Sequence, residues 1–379
     1  MHSRRKQLLN SLPRLRSWHV GAFAGAFAVV GIVVVMFAHA AGPYVATEAE
    51  NGTISGAATT VTDASASGGQ ALALNAPTPT PTPTPTPGAC PSSTHNVPNG
   101  IDPWGGCWPG PNNTGYPHGL AGDTRTPVTL TNYTGSCTIT SAVTIDKNIF
   151  NCDVIIQAKV TITNSLINGQ IIIDSDNAAT QYNTNWMLTL KDSEVSIGLV
   201  QLPVVYEGAM DIQRSDIHGG VTAVQCGDKS AQCFISDSYL HGQQIQVNSN
   251  WHLGGFHSIG GTNYNLTHNW ITCDQLATYG SDGGCSGGIV FVPTDPSTIS
   301  HAIINKNFVP AMPSAAYCFY GGDRPPNLAT YMTITNNVWG RGSNRLCGTY
   351  GPVAGTNTGS TNVWSGNVWE DGGAVDPTE

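Results

Sequence analysis

Residues 209–218 read Ala-Met-Asp-Ile-Gln-Arg-Ser-Asp-Ile-His, and residues 232–241 read Gln-Cys-Phe-Ile-Ser-Asp-Ser-Tyr-Leu-His. Both carry one frame: an apolar residue, two positions, a Ser, one position, and a second apolar residue. The frame is Ile212-x-x-Ser215-x-Ile217 in the first stretch and Ile235-x-x-Ser238-x-Leu240 in the second. Upstream it appears at Ile162-x-x-Ser165-x-Ile167 and Leu190-x-x-Ser193-x-Val195. Downstream, Asn replaces Ser, at Leu266-x-x-Asn269-x-Ile271, Ile304-x-x-Asn307-x-Val309, Ile334-x-x-Asn337-x-Trp339 and Trp364-x-x-Asn367-x-Trp369. Ile145-x-x-Asn148-x-Phe150 fits as a ninth copy, seventeen residues before the next, whereas elsewhere the spacing is 22 to 38. Self-similarity on this scale denotes stacked repeats.

Parity then decides the fold. Residues facing inward on one strand lie an even number apart. The two apolar columns are five apart, so the chain turns between them, and the Ser/Asn column marks the corner. Small polar side chains tolerate left-handed backbone and bond locally, so this column is expected to adopt that conformation and to bond to its equivalents on adjacent coils. A further column five residues before the corner (Val160, Leu188, Met210, Cys233, Tyr264, Ala302, Met332) is mostly apolar and extends the first strand inward. Helical solenoids fit poorly, because the segments are short, β-branched and broken by Gly and Pro. The expected fold is all-β, a right-handed parallel β-helix (a solenoid) with disulfide-closed loops.

With its polar ladder at a tight corner and long loops elsewhere, the repeat resembles the pectin-lyase-like β-helix superfamily over about residues 143–371. The resemblance implies a secreted, carbohydrate-related protein. Several signatures of that superfamily are missing. Ile217-His218-Gly219-Gly220 only faintly matches the Gly-His-Gly of polygalacturonases, and the clustered Asp ligands of calcium-dependent pectate lyases do not occur. Residues 90–135, rich in Gly, Pro and Trp, would cap the N-terminal end of the core.

Chemistry is sought along stripes, because equivalent positions on adjacent coils lie about 4.8 Å apart. Just before the corner stand Asn164, Asp192, Arg214, Asp237, His268, Lys306 and Asn336, alternating in sign like a ladder of ion pairs that holds coils in register. Just after it, facing outward, stand Leu166, Glu194, Asp216, Tyr239, Trp270 and Phe308, and two positions on come Asn168, Ser196, His218, His241 and Thr272. Glu194 and Asp216 on neighbouring coils, with His218 and His241 beside them, form the candidate catalytic set. Two carboxylates about 5 Å apart suit a retaining glycosidase and wider spacing suits inversion. Tyr239 and Trp270 are expected to stack on sugar rings. The plainer reading gives these acids to loop backbone and covers the aromatics with insertions.

A second cluster, Trp251-His252-Leu253-Gly254-Gly255-Phe256-His257, lies in a long insertion before the Leu266 coil. Secreted β-helix proteins often carry His-x-Asp-Gly-x-Gln there; here His252 and Gly255 match, while Gly254 takes the acidic place and His257 that of Gln. His252 and His257 are candidate substrate-binding residues. With His241 they could in principle gather a metal, but an ordinary loop histidine is the simpler reading of each. No metal is assigned and no cofactor expected; calcium stays open without a motif to support it.

The ends of the chain set the compartment. Residues 1–19 hold Arg4, Arg5, Lys6, Arg14 and Arg16 and no acid, and Val20–Ala38 runs nineteen residues without charge. Residues 1–40 therefore read as a signal peptide or an N-terminal membrane anchor. Removing those five basic residues from fifteen leaves ten against twenty-four acidic ones, a net charge of −14, which argues against nucleic acid and anionic membranes as partners. Ten cysteines, all beyond residue 89, suit an oxidising compartment, and no C-x2-C zinc pair exists. Their order suggests neighbour pairing: Cys90–Cys107, Cys137–Cys152, Cys226–Cys233, Cys273–Cys285 and Cys318–Cys347.

Residues 77–88 are a Pro-Thr linker, extended because proline alternates through it. The stalk before it, 41–76, contains TEAENGTISGAATTVTDASASGGQALAL and resembles, through Glu48, Glu50, Gly52, Ser55, Gly56, Asp63, Ala66, Ser67, Gly68 and Gly69, the opening strands of jelly-roll carbohydrate-binding modules. About thirty residues do not make such a module, and no sugar-binding role is carried over. The β-helix domain is 89–379. The expected function is a monomeric, extracellular or cell-surface polysaccharide-active protein, a glycoside hydrolase first and a lyase second, on a neutral or weakly charged glycan. The alternative is a non-catalytic glycan-binding, attachment or structural β-helix protein.

Overall fold

Every turn of the chain repeats three short strands, and strands of each kind stack in parallel with their equivalents on the coils before and after. The computed structural model describes residues 58–62, 70–74, 90–174, 186–227, 232–274, 280–294, 297–323, 328–356 and 361–377. The expected leader or anchor at 1–40, the Pro-Thr linker at 77–88 and most of the stalk at 41–76 lie outside the described residues. The chain separates into two units, residues 1–83 and 84–379. In the first, Ala58–Thr62 and Gln70–Leu74 pair antiparallel.

Among the described residues the second unit holds three parallel sheets, of nine, ten and nine strands. A pre-corner sheet runs from Val143–Asp146 to Val363–Ser365. A post-corner sheet runs from Thr131–Asn132 to Val368–Trp369. A third sheet runs from Thr138–Ile139 to Gly351–Ala354. Chain order is pre-corner, post-corner, third, and back, which makes a parallel β-helix. The apolar columns face the interior as parity requires: Ile162, Leu190, Ile212, Ile235, Leu266 and Ile304 are fully buried, as are Ile167, Val195, Ile217, Leu240, Ile271 and Val309. The early frame Ile145-x-x-Asn148-x-Phe150 is a coil like the others, with Val143–Asp146 registered against Lys159–Thr163.

The corner differs from expectation in one respect. The left-handed residue is the one before the Ser/Asn column: Lys147, Asn164, Asp192, Arg214, Asp237, His268, Lys306, Asn336 and Gly366 all have φ between 43° and 65°. Left-handed backbone costs an L-residue about 1–2 kcal/mol, and no single side-chain type runs through this column. From Ser165 onward the Ser/Asn residue is instead buried and points inward, where it reaches the backbone of the neighbouring coil. Ser165 N–H donates to Ser193 Oγ (3.1 Å), Ser238 N–H to Asn269 Oδ1 (2.9 Å), Asn269 N–H to Asn307 Oδ1 (3.0 Å) and Asn307 N–H to Asn337 Oδ1 (2.9 Å). From Asn269 onward each Asn amide also donates to a carbonyl one coil back, Asn307 to Leu266 O at 2.8 Å and Asn337 to Ile304 O at 2.9 Å. Inward-facing polar groups need such partners, so the corner assigns the turn to one residue and the bonding to the next.

Residues 90–128 do not cap the N-terminal end. They form a strap that runs along the outside of the post-corner sheet, against the direction in which the coils advance. Asn96 bonds to Glu370 O near the C-terminal end (3.2 Å), and Arg125 reaches Asp192 near the other (3.2 Å). The reason is the stripe beneath it. Trp270, Phe308 and Val338 are outward and apolar, and Trp108 of the strap, fully buried, covers them. The five disulfides join Cys90–Cys107, Cys137–Cys152, Cys226–Cys233, Cys273–Cys285 and Cys318–Cys347. Cys318–Cys347 ties adjacent coils, while Cys90–Cys107 closes a loop within the strap.

Asn307 satisfies four buried groups at once. Asn307→Ala is expected to destabilise by about 3–5 kcal/mol, against about 1–2 kcal/mol for Ser193→Ala, because more buried donors and acceptors are orphaned. Urea midpoints of the two variants check this, and equal losses would refute the ladder as a set of unequal rungs.

Candidate functional site

Three consecutive strands of the post-corner sheet, Glu194–Ser196, Asp216–His218 and Tyr239–His241, pair without offset. Glu194 is therefore opposite Asp216, Asp216 opposite Tyr239, Ser196 opposite His218, and His218 opposite His241. The inward residue between each outward pair (Val195, Ile217, Leu240) is fully buried, which fixes the register.

These outward side chains make acid–histidine pairs. His241 Nε2 lies 2.8 Å from Asp216 Oδ1, and His218 Nε2 lies 3.3 Å from Glu194 Oε1. The His218 and His241 rings stack with centroids 5.1 Å apart, and Tyr239 stacks on His241 at 3.8 Å. Ser196 Oγ lies 3.5 Å from His218 Nδ1. The strap adds two residues that belong to no repeat column. His118 Nε2 lies 3.5 Å from Glu194 Oε2, and the Tyr116 ring packs against His118 at a tilt, with centroids 3.8 Å apart. No repeat position corresponds to these two residues, so nothing in the spacing signals them.

Cover comes from the strap. Gly115, at φ 69°, lies so close that a Cβ on it would be 3.3 Å from Asp216 Cβ and 3.6 Å from Glu194 Cβ. The side chain of Asp216 keeps 11% of its surface exposed and that of Glu194 21%, with His218 at 28% and His241 at 22%. Solvent therefore reaches the histidine side of the cluster and Glu194 more freely than Asp216.

Electrostatics separates the groups. Burial works against a charged His218, but its bond to Glu194 and the charges of Asp216 and Glu194 outweigh it, so its pKa is raised. Burial first, then the charges of Asp274 and Asp216, push the Tyr239 phenol up. Tyr116 is raised likewise, by burial and by Glu194. Both phenols stay protonated at neutral pH, and His218 holds its proton beyond the ordinary histidine range. Paired carboxylates, a proton-rich imidazole and its stacked neighbour can donate and accept protons across a few ångströms. Among the described residues, no three His, Cys, Asp or Glu side chains are grouped to hold a metal ion.

The remaining expected site residues lie elsewhere. Trp270 is not free to stack on a sugar: it is 6% exposed, stacked on Phe308 at 4.2 Å and covered by Trp108 at 6.4 Å. An apolar outward stripe was a surface to be roofed, and the strap roofs it. His252 and His257 sit on a different sheet. The stretch expected as a long insertion is the strand His252–Ser258 of the third sheet, with Leu253 and Phe256 buried inward. Its glycines read as loop in the sequence, yet Gly254 stands in register with Thr222 and Gly287 on the flanking coils.

The stripe before the corner is the expected register pin. Arg214 donates to both oxygens of Asp192, at 2.8 Å each, and His268 Nδ1 lies 2.7 Å from Asp237 Oδ1. The same stripe anchors the strap. His268 Nε2 lies 3.1 Å from Asp102 Oδ2, and its ring stacks on Trp108 at 5.5 Å. Burial disfavours the His268 imidazolium, but the Asp102 and Asp237 carboxylates more than compensate and raise its pKa to about 9. Asp102, despite the opposing effect of burial, is held low by His268 and by the N–H groups of Gly106 and Trp104.

Comparison with known proteins returns no match: no protein-family model, no curated sequence and no solved structure aligns with this chain.

A pKa raised on folding stabilises the fold below the unfolded value and loses that contribution as pH rises through the folded value. The advantage of the wild type over His268→Gln is expected to be on the order of 2–3 kcal/mol near pH 6. It should shrink as pH rises through about 9. Thermal unfolding of both proteins across that range, with limited proteolysis of the strap, measures it; a gap that stays constant would remove His268 as the charged anchor.

Proposed function

We propose that this is a secreted or surface-attached polysaccharide-active protein, a glycoside hydrolase in the first instance and a lyase in the second, acting on a neutral or weakly charged glycan. The observation that carries the reading is the pair of outward acid–histidine couples on adjacent coils, Glu194 with His218 and Asp216 with His241. Strand spacing of about 4.8 Å favours the close carboxylate separation of a retaining mechanism, about 5–5.5 Å. In that reading Glu194 and Asp216 serve as acid and as nucleophile or base, and His218 and His241 assist by holding or relaying protons. The five disulfides support an extracellular location. Corner ladder and sheet order support the resemblance to the pectin-lyase-like superfamily.

A specific observation favours the second reading, a non-catalytic glycan-binding or attachment protein. The Gly115 backbone lies over Asp216 and Glu194, and each carboxylate already has a histidine partner. In that case the couples fasten the strap instead of performing chemistry.

Glycan turnover separates the two. With a panel of neutral and weakly acidic polysaccharides, reducing-end release is expected, and Glu194→Gln and Asp216→Asn should each lower kcat about 100-fold or more without lowering Tm. Loss of the His218 proton at high pH should depress the rate above the ordinary histidine range. Turnover that survives both carboxamide variants sinks the assignment, and glycan binding with no turnover installs the second reading.

A further inference from the structure

The third sheet carries a cavity of about 550 Å³ on its outer side, apart from the acid–histidine cluster. Its floor is a gap in the side-chain pattern. Thr222, Gly254 and Gly287 stand opposite one another on three consecutive coils, so two of the three positions present bare backbone. Beside this gap the register aligns His257, Val290 and Tyr320, an imidazole and a phenol flanking an aliphatic side chain. His252 and Ser286 complete the polar lining.

Polar groups in a concavity usually find protein partners. Here, among the described residues, the hydroxyls of Thr222, Ser286 and Tyr320 and the rings of His252 and His257 make no hydrogen bond to protein. Burial holds His257 uncharged, with a pKa lowered to about 4, and burial and then Tyr317 raise the Tyr320 phenol. Both side chains therefore offer a neutral donor and a neutral acceptor at neutral pH. Among the described residues no carboxylate, ammonium or guanidinium group lines the cavity. An anionic ligand would be desolvated without a counter-charge, at heavy cost.

From this geometry we infer that the cavity is a binding site for an uncharged, hydroxyl-rich ring, a neutral glycan unit, lying on the Gly254 floor between His257 and Tyr320. Apolar C–H faces meet Val290 and the aromatic rings while the ring hydroxyls meet the unpartnered imidazoles and hydroxyls. The site does not depend on the proton-transfer reading of Glu194 and Asp216.

Gly254 makes the inference testable. A Cβ on it would find only ordinary contacts, Gly287 O at 3.6 Å, Phe256 O at 3.7 Å and Thr222 Oγ1 at 3.8 Å, so Gly254→Leu fills the floor without forcing the backbone. Calorimetric titration of the full chain with hexasaccharides of β-1,4-linked glucose, xylose, mannose and galactose, and with hexagalacturonate, reads the site. At least one neutral hexasaccharide is expected to bind, and hexagalacturonate at least about tenfold more weakly. Gly254→Leu and His257→Ala should each weaken the neutral ligand about tenfold or more at unchanged Tm. The inference is overturned if no neutral hexasaccharide binds, if hexagalacturonate binds as well, or if binding withstands both floor and wall substitutions. Should Gly254→Leu not fold, His257→Ala alone decides. Failed turnover with intact binding leaves this site standing, and lost binding with intact turnover removes it alone.

Discussion

Everything in the second unit depends on one backbone step, the left-handed residue that lets two inward columns stand five positions apart. A straight strand cannot place both columns in a core. The step is unfavourable for the residues that make it, which include Asp192, Arg214, Asp237, His268 and Lys306. It persists because the next residue turns inward and bonds to the coils on either side. Local strain and long-range bonding are thus adjacent along the chain, and each is what makes the other possible.

The same step decides where side chains are available for chemistry. With the corner fixed, the strand after it has one inward residue flanked by two outward ones, and the outward pair repeats in register. Acids and histidines at those positions come together without any loop placing them. The stripe is nonetheless shared between uses. Toward the C-terminal coils it becomes Trp270, Phe308 and Val338, which need a roof, and the strap that supplies the roof extends over Glu194 and Asp216. Packing at one end of the sheet therefore governs access at the other.

The repeat was legible because inward residues must obey parity, and the stripes followed from it, including Glu194 beside Asp216, His218 beside His241, and Arg214 as a partner of Asp192. The neighbour order of the cysteines was legible because each bridge closes a short stretch or joins adjacent coils. What escaped was whatever lay outside the repeat. Tyr116 and His118 belong to a Gly- and Pro-rich segment with no period, and only three-dimensional packing brings them to Glu194. The cover over Trp270 is not legible either, because an outward position on a strand says nothing about what lies above it. The strand at His252–Ser258 was hidden by its glycines, whose pairing depends on backbone alone.

The strap's direction has a mechanical meaning. An array of stacked coils is nearly one-dimensional, each coil touching its two neighbours, and such arrays come apart from their ends. A segment that starts beside the last coil and finishes by entering the first bypasses that nearest-neighbour order. Contacts at Glu370, His268, Glu194 and Asp192 couple coils that otherwise never meet. The strap turns a row of repeats into a closed loop, so that fraying at one end is felt at the other and the solenoid unfolds as a single cooperative body.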